Sequence, residues 1–480
     1  MGGKGRHSTR YGADEKNMSR RPELRGPWRG MLAALVLLAW LAACRPGPVS
    51  TPETGGELVV LTRNSPTTYY LDADGQAAGF EHDLVAAFAR REGWTVRYIV
   101  ADSLDDLFRK MARGRAHLAA AGLTASDERR ARMRFGPTYG QIKEWVVCRQ
   151  GAGDPASLKD LAGLRLEVVA GSSHVEGLKL RRVGLPSLKW VEMRTADPEE
   201  LLERVEIGLA DCTVMDSDSL DVARNFHPGL RQSFLLESAQ PQAWVLGAGT
   251  DMDMSRRLAG FFRDMEDTGE LARLRERYFG HVNRLQEADV IGILEKRGTL
   301  LRDLREIFLD AQAETGLDWR LLAAVAYQES QWDAHAVSGT GVRGLMMLTE
   351  DTADHLGVKD RLDPRESILG GARYLNLLKA DLPPTVPEPD RTWIALAAYN
   401  VGQGHLNDAR ALASRLGRNP DAWTDMKATL PLLARGSHTA GLKYGFARGG
   451  EARAFAENVR IYYDILRKYE KPVRDRARFP

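Results

Sequence analysis

Cysteine is scarce in this chain of 480 residues: Cys44, Cys148 and Cys212 are all it has. They form no Cys-x-x-Cys pair and no metal-ligand spacing, which argues against a zinc site. Cys148 and Cys212 leave two readings open, a disulfide in an oxidising compartment or two separate buried thiols. A charge imbalance is missing too, with 67 Lys and Arg against 65 Asp and Glu. No basic stripe interleaved with aromatics stands out, so no nucleic-acid partner is expected. The apolar run Met31 to Ala43 falls short of the ~20 residues that a membrane-spanning helix needs. What is present is ordinary globular composition, 43% hydrophobic and 28% charged, in a chain long enough for two or three domains.

The short apolar run has a meaning of its own. Arg20, Arg21, Arg25 and Arg29 precede it as a basic segment, and it fits the ~7–15 residues of a signal core. It closes on Leu41-Ala42-Ala43-Cys44, which resembles a bacterial lipobox. The resemblance implies a lipoprotein-type signal peptide over 1–43 and lipidation of Cys44 as the new N-terminus. A simple membrane anchor, or a cleaved signal with an incidental Cys, is the alternative. Arg45, standing where an Asp would retain a lipoprotein in the inner membrane, implies the periplasmic face of the outer membrane. Residues 44–56 are rich in Pro, Gly and Thr without apolar period, and read as a tether.

From Glu57 the pattern alternates. Glu57–Thr62, Thr95–Val100 and His117–Ala121 read as strands, and helical stretches run from Gly79 to Arg91 and from Leu104 to Arg113. A second α/β set begins near Ala162–Ala170 and includes Glu199–Leu209 and Cys212–Asp216. Alternation of this kind predicts mostly parallel strands flanked by helices. Two such lobes with a cleft between them make a hinge-closing receptor.

Three segments carry a resemblance here: Gly79-Phe80-Glu81-His82-Asp83-Leu84, Ala121-Gly122-Leu123-Thr124-Ala125-Ser126-Asp127-Glu128-Arg129-Arg130, and Phe135-Gly136-Pro137-Thr138-Tyr139. In this order, residues 57–280 resemble the bacterial extracellular solute-binding family 3 of polar amino-acid receptors. The resemblance implies that Arg129 grips a ligand carboxylate as a planar bidentate donor, that Asp216 faces the ammonium, and that Thr124 lines the site. Asp218 is an equally near candidate for the role of Asp216, and Asp216 also reads as a helix N-cap before Ser217. The implied ligand is an amino acid or a muropeptide fragment. His281 to Arg297 reads as a mostly polar linker.

Residues 298–480 lack β-branched runs and repeat apolar positions at three and four, which predicts a small all-α domain. Helices are expected at Leu300–Thr315, Asp318–Trp332, Met346–Leu356, Pro364–Lys379, Thr392–Tyr399, Leu406–Ala413 and Glu451–Tyr469. Glu329 falls on the apolar stripe of Leu322, Val325 and Trp332. Burial raises a carboxyl pKa, which suits a general acid working near neutral pH.

Four landmarks follow in order: Ala326-Tyr327-Gln328-Glu329-Ser330-Gln331-Trp332-Asp333, then Ser338 through Gly341, Gly344, Leu345, Met346, Met347 to Thr349, then Ala397-Ala398-Tyr399-Asn400, then Phe455-Ala456-Glu457-Asn458-Val459-Arg460. They resemble the soluble-lytic-transglycosylase domain, a lysozyme-like fold. The whole chain from Cys44 to about Tyr469 thus looks like a membrane-bound murein transglycosylase. The resemblance implies Glu329 as the catalytic acid and base, with Ser330, Ser338, Gly344, Met346, Tyr399 and Asn400 in contact with peptidoglycan glycan strands. It implies no metal and no cofactor. The implied reaction cleaves the β-1,4 bond from N-acetylmuramate to N-acetylglucosamine and leaves a 1,6-anhydro ring. Two departures weaken substrate contacts, Met347 in place of a Gln and Phe455 in place of a Tyr. Ordinary glycosidases use two carboxylates, and the nearest second one, Asp333, reads better as a cap for the helix end. A muramidase-type hydrolase and a non-catalytic receptor with a wall-binding domain are the rival readings.

Overall fold

The computed structural model describes residues 49–473 apart from 73–74, 195–196, 249, 251, 283–284, 339–340, 436–437 and 439–440. The expected signal peptide and Cys44 lie outside the described residues. Within the described residues no helix is long and apolar enough to cross a membrane.

Beside a small hairpin of Tyr70–Leu71 and Ala77–Ala78, the strands of the first half join in one eight-stranded sheet. They are β1 (Glu57–Thr62), β2 (Thr95–Val100), β3 (Leu118–Ala119), β4 (Arg134–Arg149), β5 (Leu166–Val169), β6 (Val191–Met193), β7 (Cys212–Asp216) and β8 (Leu230–Leu246). Their order in space is β2-β1-β3-β8-β4-β7-β5-β6. β1 runs parallel to β2 and β3, and β5 runs parallel to β6 and β7. Five of the six β1 residues are buried, as expected of a parallel strand covered on both faces. The two lobes therefore share one sheet, joined through the long antiparallel pair β4 and β8. That pair is interrupted by register shifts at Gln232/Phe234 and Leu235/Glu237 among others, and such bulges bend and twist long strands. Each lobe keeps its own apolar cores. Leu58, Phe88, Trp244 and Phe261 pack in one lobe, and Val146, Val168, Leu178 and Val214 in the other. Cys148 and Cys212, opposite each other on β4 and β7, are disulfide-bonded.

The helices of the first half are α1 (Phe80–Glu92), α2 (Leu104–Ala112), α3 (Asp127–Arg130), α4 (Ser173–Arg182), α5 (Pro198–Glu206), α6 (Ser217–Ala223), α7 (Met252–Asp267) and α8 (Glu270–Phe279). The tether is not wholly irregular, because Pro52–Gly55 forms one helical turn with Pro52 buried. The linker expected over 281–297 is mostly a helix, α9 (Glu287–Lys296), with a Gln286–Asp289 capping box. Val290 and Ile293 are buried in the core of the helical half, which a polar connector would not do.

That half is all helical: α10 (Arg302–Thr315), α11 (Trp319–Ser330), α12 (Glu350–Leu356), α13 (Pro364–Ala380), α14 (Asp390–Val401), α15 (Gln403–Arg415), α16 (Trp423–Thr429) and α17 (Gly449–Tyr469). Asp318 caps α11 by accepting from the Arg320 amide. The α17 helix packs against α11 and α14. The helix expected from Met346 begins only at Glu350, because Met347 has φ 47° and residues 341–348 form a loop. The helix α16 was not legible in the sequence pattern.

Residues 48–480 make one compact unit, and α17 is where its two halves meet. His281 Nε2 lies 2.7 Å from Asp464, and Arg460 donates to the Arg277 carbonyl at 3.1 Å. Lys427 bridges Glu276 of α8, the Gly280 carbonyl and the buried Glu457 of α17. At the far end of α17, Lys468 pairs with Glu199 and Arg467 with Asp72.

Candidate functional site

Glu329 is the penultimate residue of α11. Ten residues of this helix are buried, including Leu322, Val325 and Ala326, so its burial follows from apolar packing on nearly all sides. The helix stops because Gln331 and Trp332 both take positive φ, 51° and 63°. Trp332 is held there by its indole N–H, which donates to the Ala323 carbonyl at 2.8 Å. The Glu329 carboxyl has no hydrogen bond or ion pair among the described residues. Burial alone pushes its pKa up to about 8. A carboxyl in this condition holds its proton at neutral pH and can donate it.

The expected neighbours divide into two groups. Ser330 is buried, and its hydroxyl faces the Ala326 and Leu345 carbonyls, both at 3.0 Å. Met346 is wholly buried; its amide donates to Ser367 Oγ at 3.1 Å, and its carbonyl accepts from the Tyr399 hydroxyl at 2.8 Å. The bonds of Ser330 and Met346 thus run to the loop and core around Glu329. Tyr399 is buried on α14, flat against Phe455 at 6.1 Å between centroids. Its hydroxyl pKa is raised by burial and by the charge of Glu329, so it sits within electrostatic reach of that carboxyl. Asn400, next on α14, is exposed, and Ser338 is half-buried in the loop before Gly341. Gly344 has φ 81°, and a Cβ there would stand 1.8 Å from the Arg361 carbonyl oxygen. Asp333 is exposed and accepts from the His335 amide at 2.9 Å, as a turn-capping residue does.

The second candidate site is the floor of the cleft between the two lobes. Arg63 at the end of β1, Thr124, Arg129, His174 on α4 and Asp216 at the end of β7 line it. Such a place, beyond the carboxyl ends of parallel strands, is where open α/β sheets take ligands. Arg129 is buried, and each of its three nitrogens is engaged: Nε with Glu176 at 2.7 Å, Nη1 with the Thr124 carbonyl at 3.3 Å and Nη2 with the Gly171 carbonyl at 2.8 Å. Asp216 stands at the N-cap position of α6 without a capping bond, and instead meets His174 Nε2 at 3.0 Å. Asp218 pairs with Arg275 and lines an adjoining space that also includes Arg63 and Asp216, whereas Asp216 lies beside His174.

His174 also lies 3.9 Å from the buried Glu144. Burial would lower the His174 pKa, but Glu144 and Asp216 together carry it above the usual value. Burial works against the charge of Asp216, and the His174 hydrogen bond overcomes it and brings its pKa down. Glu144, His174 and Asp216 present ligating atoms within 4.8 Å of one another. Within the trio the 3.0 Å His174–Asp216 contact is a direct hydrogen bond, while Glu144 Oε2 and His174 Nδ1 are buried without a partner.

Arg63, Glu144, His174 and Glu176 were not singled out by sequence. Two had a usable signal, since Arg63 directly follows a strand and His174 opens the helix after one. Glu144 and Glu176 had none.

The model of the transglycosylase SLT domain matches residues 306–421, and that of bacterial extracellular solute-binding proteins, family 3, matches residues 58–281. The chain is 48% identical over 442 residues to a membrane-bound lytic murein transglycosylase F of Thiobacillus denitrificans, covering 92% of this chain and 94% of that one. A protein of the same name from Nitrosospira multiformis is 46% identical over 416 residues, with 87% of each chain covered. Among solved structures, a P235GK mutant of ArgBP from T. maritima is similar at a TM-score of 0.44 and 21% identity, over 48% of this chain and 97% of that one.

Proposed function

The chain belongs to the membrane-bound lytic murein transglycosylase F family and is a peptidoglycan lytic transglycosylase; we propose that Glu329 is its one acid and base. The observation that supports this is the carboxyl itself, half-buried, free of any ion pair among the described residues and raised to about 8 by burial alone. In the proposed reaction Glu329 protonates O4 of N-acetylglucosamine as the C1–O4 bond to N-acetylmuramate breaks. The substrate's own N-acetyl group stabilises the positive charge at C1. The Glu329 carboxylate then takes the proton of the muramate C6 hydroxyl, and O6 bonds to C1. Glu329 ends as it began, no water is consumed, and the product carries a 1,6-anhydro ring. Tyr399, Asn400, Ser338 and the Gly344 loop form the rest of the cleft in this reading.

Mass spectrometry of murein digested by the purified protein tests it. An anhydromuramate at every new muramate end, with a free O4 hydroxyl on the departing N-acetylglucosamine, is the expected outcome. Reducing ends would mean a muramidase-type hydrolase, and undiminished cleavage by Glu329→Gln would remove Glu329 from the mechanism.

The proposal extends to the chain's other parts: a lipoprotein signal at 1–43, a lipid anchor at Cys44 in the outer membrane facing the periplasm, and a solute-binding domain over 57–280 that regulates the enzyme. Regulation is supported by α17, which packs against α11 and holds contacts to both lobes through Arg460, Lys427 and Lys468. Membrane fractionation of Cys44→Ala tests the anchor, which predicts release into the soluble periplasmic fraction.

A further inference from the structure

The helix α14 ends at Val401, just past Tyr399 and Asn400, and α15 begins at Gln403. Two polar atoms at this junction are buried without a hydrogen-bond partner among the described residues, Gln403 Oε1 and His405 Nδ1. Buried polar atoms in folded proteins are nearly always paired. Two such atoms directly beyond Asn400 mark a place where a polar ligand completes the bonding.

Beside them stand two exposed aromatic rings. Tyr444 is 51% exposed and Phe446 64%. The Tyr444 ring meets the His405 ring edge-on, with centroids 5.9 Å apart. It also lies over Gly404, where a Cβ would come within 2.9 Å of the ring. Gly404 is inside α15, a place where alanine would favour the helix more. The close approach of Tyr444 is what requires glycine there. The backbone that carries the rings is fixed from both sides. The buried carboxylate of Asp408 accepts from the Lys443 amide at 2.9 Å and from the Tyr444 amide at 2.6 Å. Such bonds to a charged acceptor are stronger than neutral ones. After the rings, the Ala447 amide donates to the Leu433 carbonyl at 3.1 Å. Single exposed apolar side chains are ordinary. A ring held in water by a buried carboxylate and seated on a glycine is not, least of all beside unpaired polar atoms.

We propose that Tyr444 and Phe446, with Gln403 and His405, form a further saccharide subsite that lengthens the glycan cleft beyond Asn400. A pyranose has a face of C–H groups and a rim of hydroxyl and N-acetyl groups. The two rings offer the apolar platform for its face. Gln403 Oε1 accepts an O–H or N–H from its rim, and His405 Nδ1 donates or accepts according to tautomer. An apolar wall with a few placed polar groups is the usual composition of a small-molecule site. The occupant is a sugar of the strand remote from the scissile bond. Asp408 is a positioning residue, acting through the backbone of Lys443 and Tyr444. The proposal rests on the reading of Tyr399 and Asn400 as cleft residues. Its consequence is selectivity for length: a long strand reaches the rings, and a tetrasaccharide centred on Glu329 does not.

The test uses the full-length protein in detergent and uncrosslinked murein glycan strands of two classes, tetrasaccharides and long strands. The ratio of kcat/KM for long over short strands is the readout. In Tyr444→Ala/Phe446→Ala this ratio should fall roughly fivefold or more, through KM on the long strands. Tyr444→Phe keeps the ring and should keep the ratio. The melting temperature of the double variant should match that of wild type. If it is lower, Phe446→Ala, which removes only the more exposed ring, takes its place under the same criterion. An unchanged ratio, or equal losses on both classes, would overturn the proposal; rings that serve as a protein or lipid contact would give that result. Asn400→Ala tests the cleft reading separately and should lower kcat/KM on both classes. No change in Asn400→Ala would remove that reading and the subsite with it, whereas a loss there with an unchanged ratio in the ring variants removes the subsite alone.

Discussion

The hydroxyl of Ser330 lies 3.0 Å from the carbonyl oxygen of Leu345, which ties the residue after Glu329 to the glycine loop. One buried hydrogen bond thus fixes the end of α11 against residues 341–348, and fixes the backbone that carries the candidate acid.

Ser330→Ala removes that donor and leaves the Leu345 carbonyl short of a partner. An unsatisfied buried acceptor costs ~1–3 kcal/mol, so urea unfolding should show a loss in that range. Turnover of murein should fall more than the affinity for it, since the loop and Glu329 lose their relative placement while the cleft's surface is kept. A variant of wild-type stability and rate would show that the tie is not needed.

The pH dependence of stability follows from Glu329. Its pKa is raised in the folded protein to about 8 from an ordinary 4.5. The folded state therefore holds the proton more tightly between those values, and stability falls as pH rises through that window. Above pH 8 the penalty for the buried charge is fully present. Glu329→Gln carries no such penalty, so it should be inactive yet more stable than wild type at pH 9, and the gap should narrow toward pH 5. Denaturant midpoints of the two proteins at pH 5, 7 and 9 test this; parallel curves would refute it. The alkaline limb of kcat/KM for murein should fall near the same pH, because the acid must be protonated to donate.

Gly344 and Gly341 share a positive φ, 81° and 82°, but differ in surroundings. A Cβ at Gly341 meets nothing within 4 Å, and one at Gly344 would strike the Arg361 carbonyl at 1.8 Å. Gly341→Ala should therefore cost only the left-handed backbone term, ~1–2 kcal/mol. Gly344→Ala should cost distinctly more and should lower turnover, since the loop must shift to relieve the overlap. Equal losses in thermal unfolding would contradict the packing argument.

The Cys148–Cys212 bond closes a segment with a sequence separation of 64. By loop-closure entropy a bridge of this span is worth about 4 kcal/mol. Reduction, or a Cys148→Ala/Cys212→Ala pair, should lower the melting temperature of the sheet-containing half. Catalysis measured well below that melting temperature should be unchanged.

Much of this molecule was legible without coordinates. β1, β2 and β7 have the ends that their apolar runs suggested; β1 and β7 are nearly continuous buried runs, which suit central strands, and β2 has no buried residue and stands at the edge. Glu329 stood out because a carboxyl on a stripe of Leu322, Val325 and Trp332 must be desolvated once the helix packs. Periodicity did not reveal the helix over 287–296 as part of the core, since only Val290 and Ile293 there are buried and its short apolar run is flanked by charged residues. Nor did it show that Ser330 and Met346 bond to Leu345, Ser367 and Tyr399, since those partners lie far away in sequence.

The sequence alone determined the order of elements, the two-part architecture and the candidate acid, because each depends on side-chain period and residue type within a short window. Tertiary structure decided which polar groups are spent on the fold and which stay available. Arg129 and Arg63 are alike as letters. One is bonded at every nitrogen by groups as far away as Gly171 and Glu176, and the other has a buried Nε without a partner. Hydrogen-bond satisfaction is a property of what comes together in space, and no local pattern records it.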